Sequence, residues 1–220
     1  LDPRVLFEVT PAVARAGIES GAARSRVDLD DYVEHLEARL GKSREMMRVI
    51  LNKAQNDPQR VALAEGDDEK IIRAAYQLDE RGIAEPLLIG NRDEIAETKA
   101  SLGLSFDPEI VDPETADVEQ YADRLHELRQ RKGVTEREAR DLVRDGNYYA
   151  SVMVEQGDAD AMLTGLTHQY PDALLPSLEV IGTEPDTDYA AGVYMLAFKN
   201  RVIFVADATV NIDPDAEALA

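Results

Sequence analysis

The 220-residue chain contains no cysteine. That absence removes disulfides, cysteine zinc sites and cysteine nucleophiles together. No apolar run approaches the ~18–20 residues needed to cross a bilayer. No basic segment precedes an apolar one in the manner of a secretory leader. Neither a Walker-type phosphate loop nor a G-x-G-x-x-G dinucleotide fingerprint is present. Lysine is scarce, with 6 Lys beside 18 Arg. These absences leave a globular chain expected in the cytoplasm, with no disulfide scaffold and no nucleotide site of either familiar type.

Acidic residues are abundant. There are 44 Asp and Glu against 24 Lys and Arg, a net charge of −20. A surface this negative repels nucleic acid and anionic membranes unless a basic patch overrides it. The densest basic cluster is Arg129, Arg131 and Lys132, which is no such patch. Nucleic acid and membrane are therefore not expected as partners. The acids are spread along the whole chain and not gathered in one tail. An acid-rich, lysine-poor globular chain is expected to work in concentrated salt, where screening confines self-repulsion to ~3 Å at 1 M. Hydrophobic residues make up 44%, ordinary for a folded domain.

Hydrophobic period and turn chemistry divide the chain. Val5 to Ala23 is apolar with helical spacing, and Pro11 predicts a first helical turn with Thr10 as N-cap. A second helix is expected from Asp28 to about Leu40 and a third from Ser43 to Ala54. Asn56-Asp57-Pro58 ends the third. From residue 60 the texture alternates. Strands are expected over 61–64, 86–89, 109–112 and 161–164. Helices are expected over 69–81, 92–102, 116–130, 136–143, 148–156 and 172–181, with Gly82 and Gly157 as stops. Two apolar runs, 193–198 and 202–206, flank Lys199-Asn200-Arg201 and read as a hairpin. Asp213-Pro214 begins a further helix. The alternation predicts an α/β fold, a parallel or mixed sheet with helices on both faces. A parallel sheet stopping at Ala220 would lack later strands and their covering helices. The chain is thus expected to be a fragment of a longer polypeptide and to self-associate through uncovered apolar surface.

Chemistry is expected in the stretch DADAMLTGLTHQYPDALLP, residues 158–176. A strand ends at Thr164-Gly165, a polar turn follows, and a helix starts near Pro171. Ligands of α/β sheets bind beyond the carboxyl ends of strands, where helix amides can hold an anion. Thr164, Gly165, Thr167 and His168 are the candidate ligand-binding residues, and an ordinary strand-to-helix turn explains the same residues. Glu65-Gly66-Asp67-Asp68 reads as a capping turn or a cleft wall, and Asp213 as a cap. His35 and His126 read as surface residues. No second His and no suitably spaced carboxylate pair accompanies His168, so no metal site is expected.

Four segments carry a resemblance. Val61 to Gly66 with the following helix, and Arg81 to Asn91, resemble the opening of phosphate acetyltransferases. Glu127 to Thr135 resembles their ELRxxKGxT-like segment. Asp160 to Gly165 resembles their next strand and loop, and Ala206 to Pro214 the strand closing the first half of that domain. Asp2 to Leu6, Val9 to Ala16 and Ser20 to Ala23 are similar to the end of the NADP domain of bacterial and archaeal malic enzymes. The whole is similar to the carboxyl-terminal region of multidomain, phosphate acetyltransferase-fused NADP-dependent malic enzymes, and its acidity points to a haloarchaeal one.

The resemblance implies a division of labour. Residues 1–27 would end the malic enzyme NADP domain, 28–57 form a helical linker, and 58–220 form the first half of a phosphate acetyltransferase-like domain with an isocitrate-dehydrogenase-like fold. The parent would convert malate to pyruvate and CO2 with NADP and a divalent metal, Mg or Mn. Those groups, and the catalytic residues, would belong to the remainder of the parent, so the fragment holds no cofactor. The terminal domain would serve oligomerisation and respond to acetyl-CoA as an effector, its partners being copies of itself and the missing parts of the parent chain. Active phosphate acetyltransferases hold the acyl phosphate with an Arg in a TLRPA-like segment, a task suited to the guanidinium fork. Here Leu175 stands at that place. The Arg of the ELR segment is retained as Arg129, which joins the candidate ligand-binding residues. The alternatives are an active module transferring acetyl between phosphate and CoA, and an anion binder with no catalytic parent.

Overall fold

The computed structural model describes residues 4–23, 28, 29, 31, 32, 42–185, 187, 189–198, 201–207 and 209–211. The helix expected at Asp213 lies outside them, as does most of the one expected over 28–40. The described residues form two compact units. One holds those up to Asn52 and from Ala191 onward; the other is Lys53–Ala190.

The first helix departs from expectation. α1 (Arg4–Glu19) begins well before Thr10 and carries Pro11 in its interior. Proline's fixed φ is itself helical, so it removes one backbone hydrogen bond without ending the helix. Gly21, at φ 74°, helps close the end, and Ala23 N–H returns to the Gly17 carbonyl. α2 (Lys42–Asn56) ends where Asp57-Pro58 forbids continuation.

The larger unit alternates as its sequence predicts. β1 (Gln59–Leu63) leads to α3 (Glu69–Glu80), β2 (Ala84–Ile89), α4 (Arg92–Ser101), β3 (Glu109–Val111), α5 (Glu119–Arg129), α6 (Glu136–Leu142), α7 (Gly146–Gln156), β4 (Ala161–Leu163) and α8 (Tyr170–Val180). The strands pair in the order β3-β2-β1-β4. Every pairing is parallel, with Leu63 opposite Leu88 on one side and Leu163 on the other. Helical crossovers make that orientation possible.

Period-two alternation sends side chains to both faces. Ala62, Leu87 and Ile89 pack with Leu125, Val143 and Val152 from the helices of one face. Leu63 and Leu88 pack with Ile71, Ile72 and Ile95 on the other. A parallel sheet needs this double cover. Local chemistry sets the helix ends. Asp68, Asn91 and Asp145 accept backbone N–H bonds at the starts of α3, α4 and α7. Thr135 and Glu138 form a reciprocal capping box on α6.

In the smaller unit β5 (Val193–Ala197) and β6 (Val202–Ala206) form the expected antiparallel hairpin. Phe198 N–H donates to the Arg201 carbonyl. Among the described residues no helix is long and apolar enough to cross a membrane.

Candidate active-site crevice

The strand order places the site. From β1 the chain steps to β2 and β3 on one side, then crosses to β4 on the other. The loops leaving β1, β2, β3 and β4 gather at the carboxyl ends of the strands, the customary ligand position in open α/β sheets. A cavity of about 450 Å3 lies there, at the carboxyl ends of the strands. Two glycines permit the close packing that shapes it. A Cβ on Gly66 would lie 2.8 Å from the backbone N and O of Ile89, and one on Gly146 only 2.5 Å from the Ala64 carbonyl oxygen. The start of α7 thus rests against the end of β1.

Glu65 follows β1 and is 6% exposed. Its Oε2 accepts Leu166 N–H at 2.8 Å. Its Oε1 accepts the Thr167 N–H and hydroxyl, each at 2.7 Å, and the His168 N–H at 3.3 Å. His168 Nδ1 lies 2.7 Å from the same oxygen. Burial alone would push the carboxyl up. The Thr167 hydroxyl, the His168 ring and the Thr167 and Leu166 amides more than offset that, holding it at about 2. Glu65 therefore remains a carboxylate, and it already occupies the loop donors that an incoming anion would need.

Of the sequence candidates, Thr167 and His168 line the cavity. Thr164 turns to α7, donating its hydroxyl to Asn147 Oδ1 at 2.5 Å. Gly165 makes the turn at φ 99°, a conformation that favours glycine. Arg129 stands elsewhere. Its Nη2 donates to Glu179 Oε1 on α8 at 2.6 Å, and the Tyr148 hydroxyl donates to Glu179 Oε2 at 2.6 Å. Arg129 Nε is buried without a partner. Burial, then the Glu179 carboxylate, raise the Tyr148 hydroxyl above its usual range, which keeps it a donor. Leu175 lies one turn before Glu179 on α8 and is 51% exposed. The two positions singled out by the resemblance, 129 and 175, thus converge on one helix, where Glu179 takes one arm of the retained guanidinium.

The cavity is electrostatically acidic. Carboxylates of Glu65, Asp67, Asp68, Asp112 and Glu114 line it against Arg144 and His168. Arg144 Nη1 donates to the carbonyls of Pro113 and Glu114 at 3.0 and 2.9 Å. A phosphate entering here meets an excess of like charge. Among the described residues no group of three or more His, Cys, Asp or Glu is placed to hold a metal ion.

Sequence reading missed Asn147, Tyr148, Glu179 and Arg144. Asn147 and Tyr148 had a usable signal, since Asp145 two residues before Asn147 is a good N-cap and starts α7 at Gly146. His126, read as a surface residue, is half-buried, its Nδ1 3.0 Å from the Val134 carbonyl oxygen.

Comparison with known proteins gives a match to the phosphate acetyl/butaryl transferase family over residues 45–220. The NADP-dependent malic enzyme of Haemophilus influenzae is 36% identical over 100% of this chain, which spans 30% of that relative. The phosphate acetyltransferase of Nitratidesulfovibrio vulgaris is 34% identical over 78% of this chain and is covered for 25% of its length. A phosphotransacetylase structure from Streptococcus pyogenes superposes with a TM-score of 0.73 at 29% identity, over 80% of this chain and 54% of that one.

Proposed function

The chain belongs to the phosphate acetyl/butaryl transferase family, and from that premise we propose that it is the carboxyl-terminal region of a multidomain NADP-dependent malic enzyme, in which it regulates and assembles the enzyme and does not transfer acetyl groups. The reading draws support from coverage. The malic enzyme match extends over the whole chain, including the residues before the family match begins at 45. Malate, NADP and the divalent metal belong, on this reading, to the part of such enzymes that the chain does not span.

The observation that carries the non-catalytic half is the pairing on α8. Leu175 offers an isobutyl group where the resemblance puts a phosphate-holding Arg, and Glu179 takes the Arg129 guanidinium. The acidic cavity points the same way, so an effect of acetyl-CoA draws on phosphate-binding groups other than those lining it. Leu163, Leu166, Tyr170, Leu175, Leu178 and Ile181 are exposed on β4, α8 and their flanks, which supports association with further copies or with the rest of the parent. An active transferase remains the second reading, favoured by the match to phosphate acetyltransferases.

A direct assay separates the two. Acetyl phosphate and CoA are expected to yield no acetyl-CoA above the blank with this chain or with its Leu175→Arg variant. Turnover well above the blank by the unaltered chain overturns the proposal.

A further inference from the structure

His168 forms part of the cavity wall, and its ring is held on one edge alone. Nδ1 lies 2.7 Å from Glu65 Oε1. Thr167 Oγ1 is 3.4 Å from the same nitrogen but gives its own proton to Glu65. Among the described residues no group bonds Nε2. The side chain is 38% exposed, so the cavity reaches the ring. Glu65 is itself immobilised, because three backbone amides and a hydroxyl from the one loop converge on it.

A carboxylate beside one ring nitrogen of a neutral imidazole dictates which nitrogen carries the proton. Here the proton belongs on Nδ1, which leaves Nε2 with its lone pair. We propose that His168 Nε2 is the hydrogen-bond- and proton-accepting group of this cavity, with Glu65 as the positioning residue that fixes the ring's orientation and tautomer. The arrangement has the logic of carboxylate–imidazole pairs generally, in which the carboxylate orients the ring and does not take the proton.

The group recognised by Nε2 is an N–H, O–H or S–H donor. Asp67, Asp68, Asp112 and Glu114 also line the cavity, so that donor enters as a neutral or cationic group. When such a donor gives up its proton, the proton goes to Nε2 and Nδ1 keeps its own. Glu65 stays ionised and balances the imidazolium charge. The inference is independent of the regulatory reading, since a silent and an active family member both accommodate it.

The test is the tautomer of His168 by long-range 1H–15N NMR on the full chain, at a pH where the ring is neutral. A His168→Gln variant identifies its signals. The unaltered protein is expected to show the Nδ1–H form almost exclusively. Glu65→Gln, whose amide can either accept or donate, is expected to shift the ring to a mixture of both forms while His126 stays unchanged. A purely structural Glu65 would lower stability without altering the tautomer, so a folded Glu65→Gln protein with an unchanged ring overturns the positioning role. An Nε2–H ring in the unaltered protein overturns the proposal outright, and that measurement needs no variant to fold.

Discussion

Five hydrogen-bond donors on one buried carboxylate give Glu65 a measurable signature in acid. Its folded pKa is about 2 against an ordinary 4.5. A depressed carboxyl contributes stability that is complete above the unfolded value and lost as pH falls through the folded one. At about 1.4 kcal/mol per pKa unit the contribution is of order 3 kcal/mol. Urea unfolding at a series of pH values is expected to show the unaltered chain losing that much more stability than Glu65→Gln between about pH 4.5 and about pH 2. Parallel pH profiles for the two proteins would contradict the role assigned to this carboxylate. The sequence offered Glu65 as a capping turn or a cleft wall, and it does line the cleft. Its pairing with Leu166, Thr167 and His168 escaped notice because they lie 101 to 103 positions away. The Arg129–Glu179 pair spans 50 positions. Such pairings are created by closure of the sheet, and hydrophobic period carries no trace of them.

Elements were far more legible than side-chain partners, because period and punctuation are local. Short apolar runs and helical stripes located the four parallel strands and the helices between them. Gly157, at φ 79°, stops α7, and Asp57-Pro58 stops α2. Ends slipped where a cap or a turn intervened. The helix expected from residue 116 begins at Glu119, because the Asp112 carbonyl first draws in the amides of Thr115 and Ala116. Pro11 misled, since a proline compatible with a first turn is equally compatible with an interior position that forgoes one bond. A glycine, Gly146, joins two elements closely enough to test. Its Cβ position lies 2.5 Å from the Ala64 carbonyl oxygen, a backbone atom that cannot swing aside. Gly146→Ala is expected to cost about 1–3 kcal/mol, the usual range for overpacking, read as a lower midpoint in urea. An unchanged midpoint would show that α7 does not press on β1 in this way.

For the whole molecule, charge dominates. Forty-four acidic residues in a chain of 220 give −20, and the like-charge repulsion weakens as salt shortens the Debye length from ~10 Å at 0.1 M to ~3 Å at 1 M. Tm is expected to rise with KCl from low to molar concentration, and equal Tm values at both ends would remove the case for a high-salt protein. The same acidity shapes the functional account. It lines the crevice with carboxylates and is expected to repel nucleic acid, while Leu175 stands where the resemblance puts a phosphate-holding Arg. The account therefore stands on regulation within a larger enzyme. Its most direct test is hydrogen–deuterium exchange on a full-length malic enzyme carrying this region, with and without acetyl-CoA. Slower exchange within the segment corresponding to residues 58–220 is the result this account requires; exchange there that is unaltered by a concentration of acetyl-CoA that inhibits malate oxidation would contradict it.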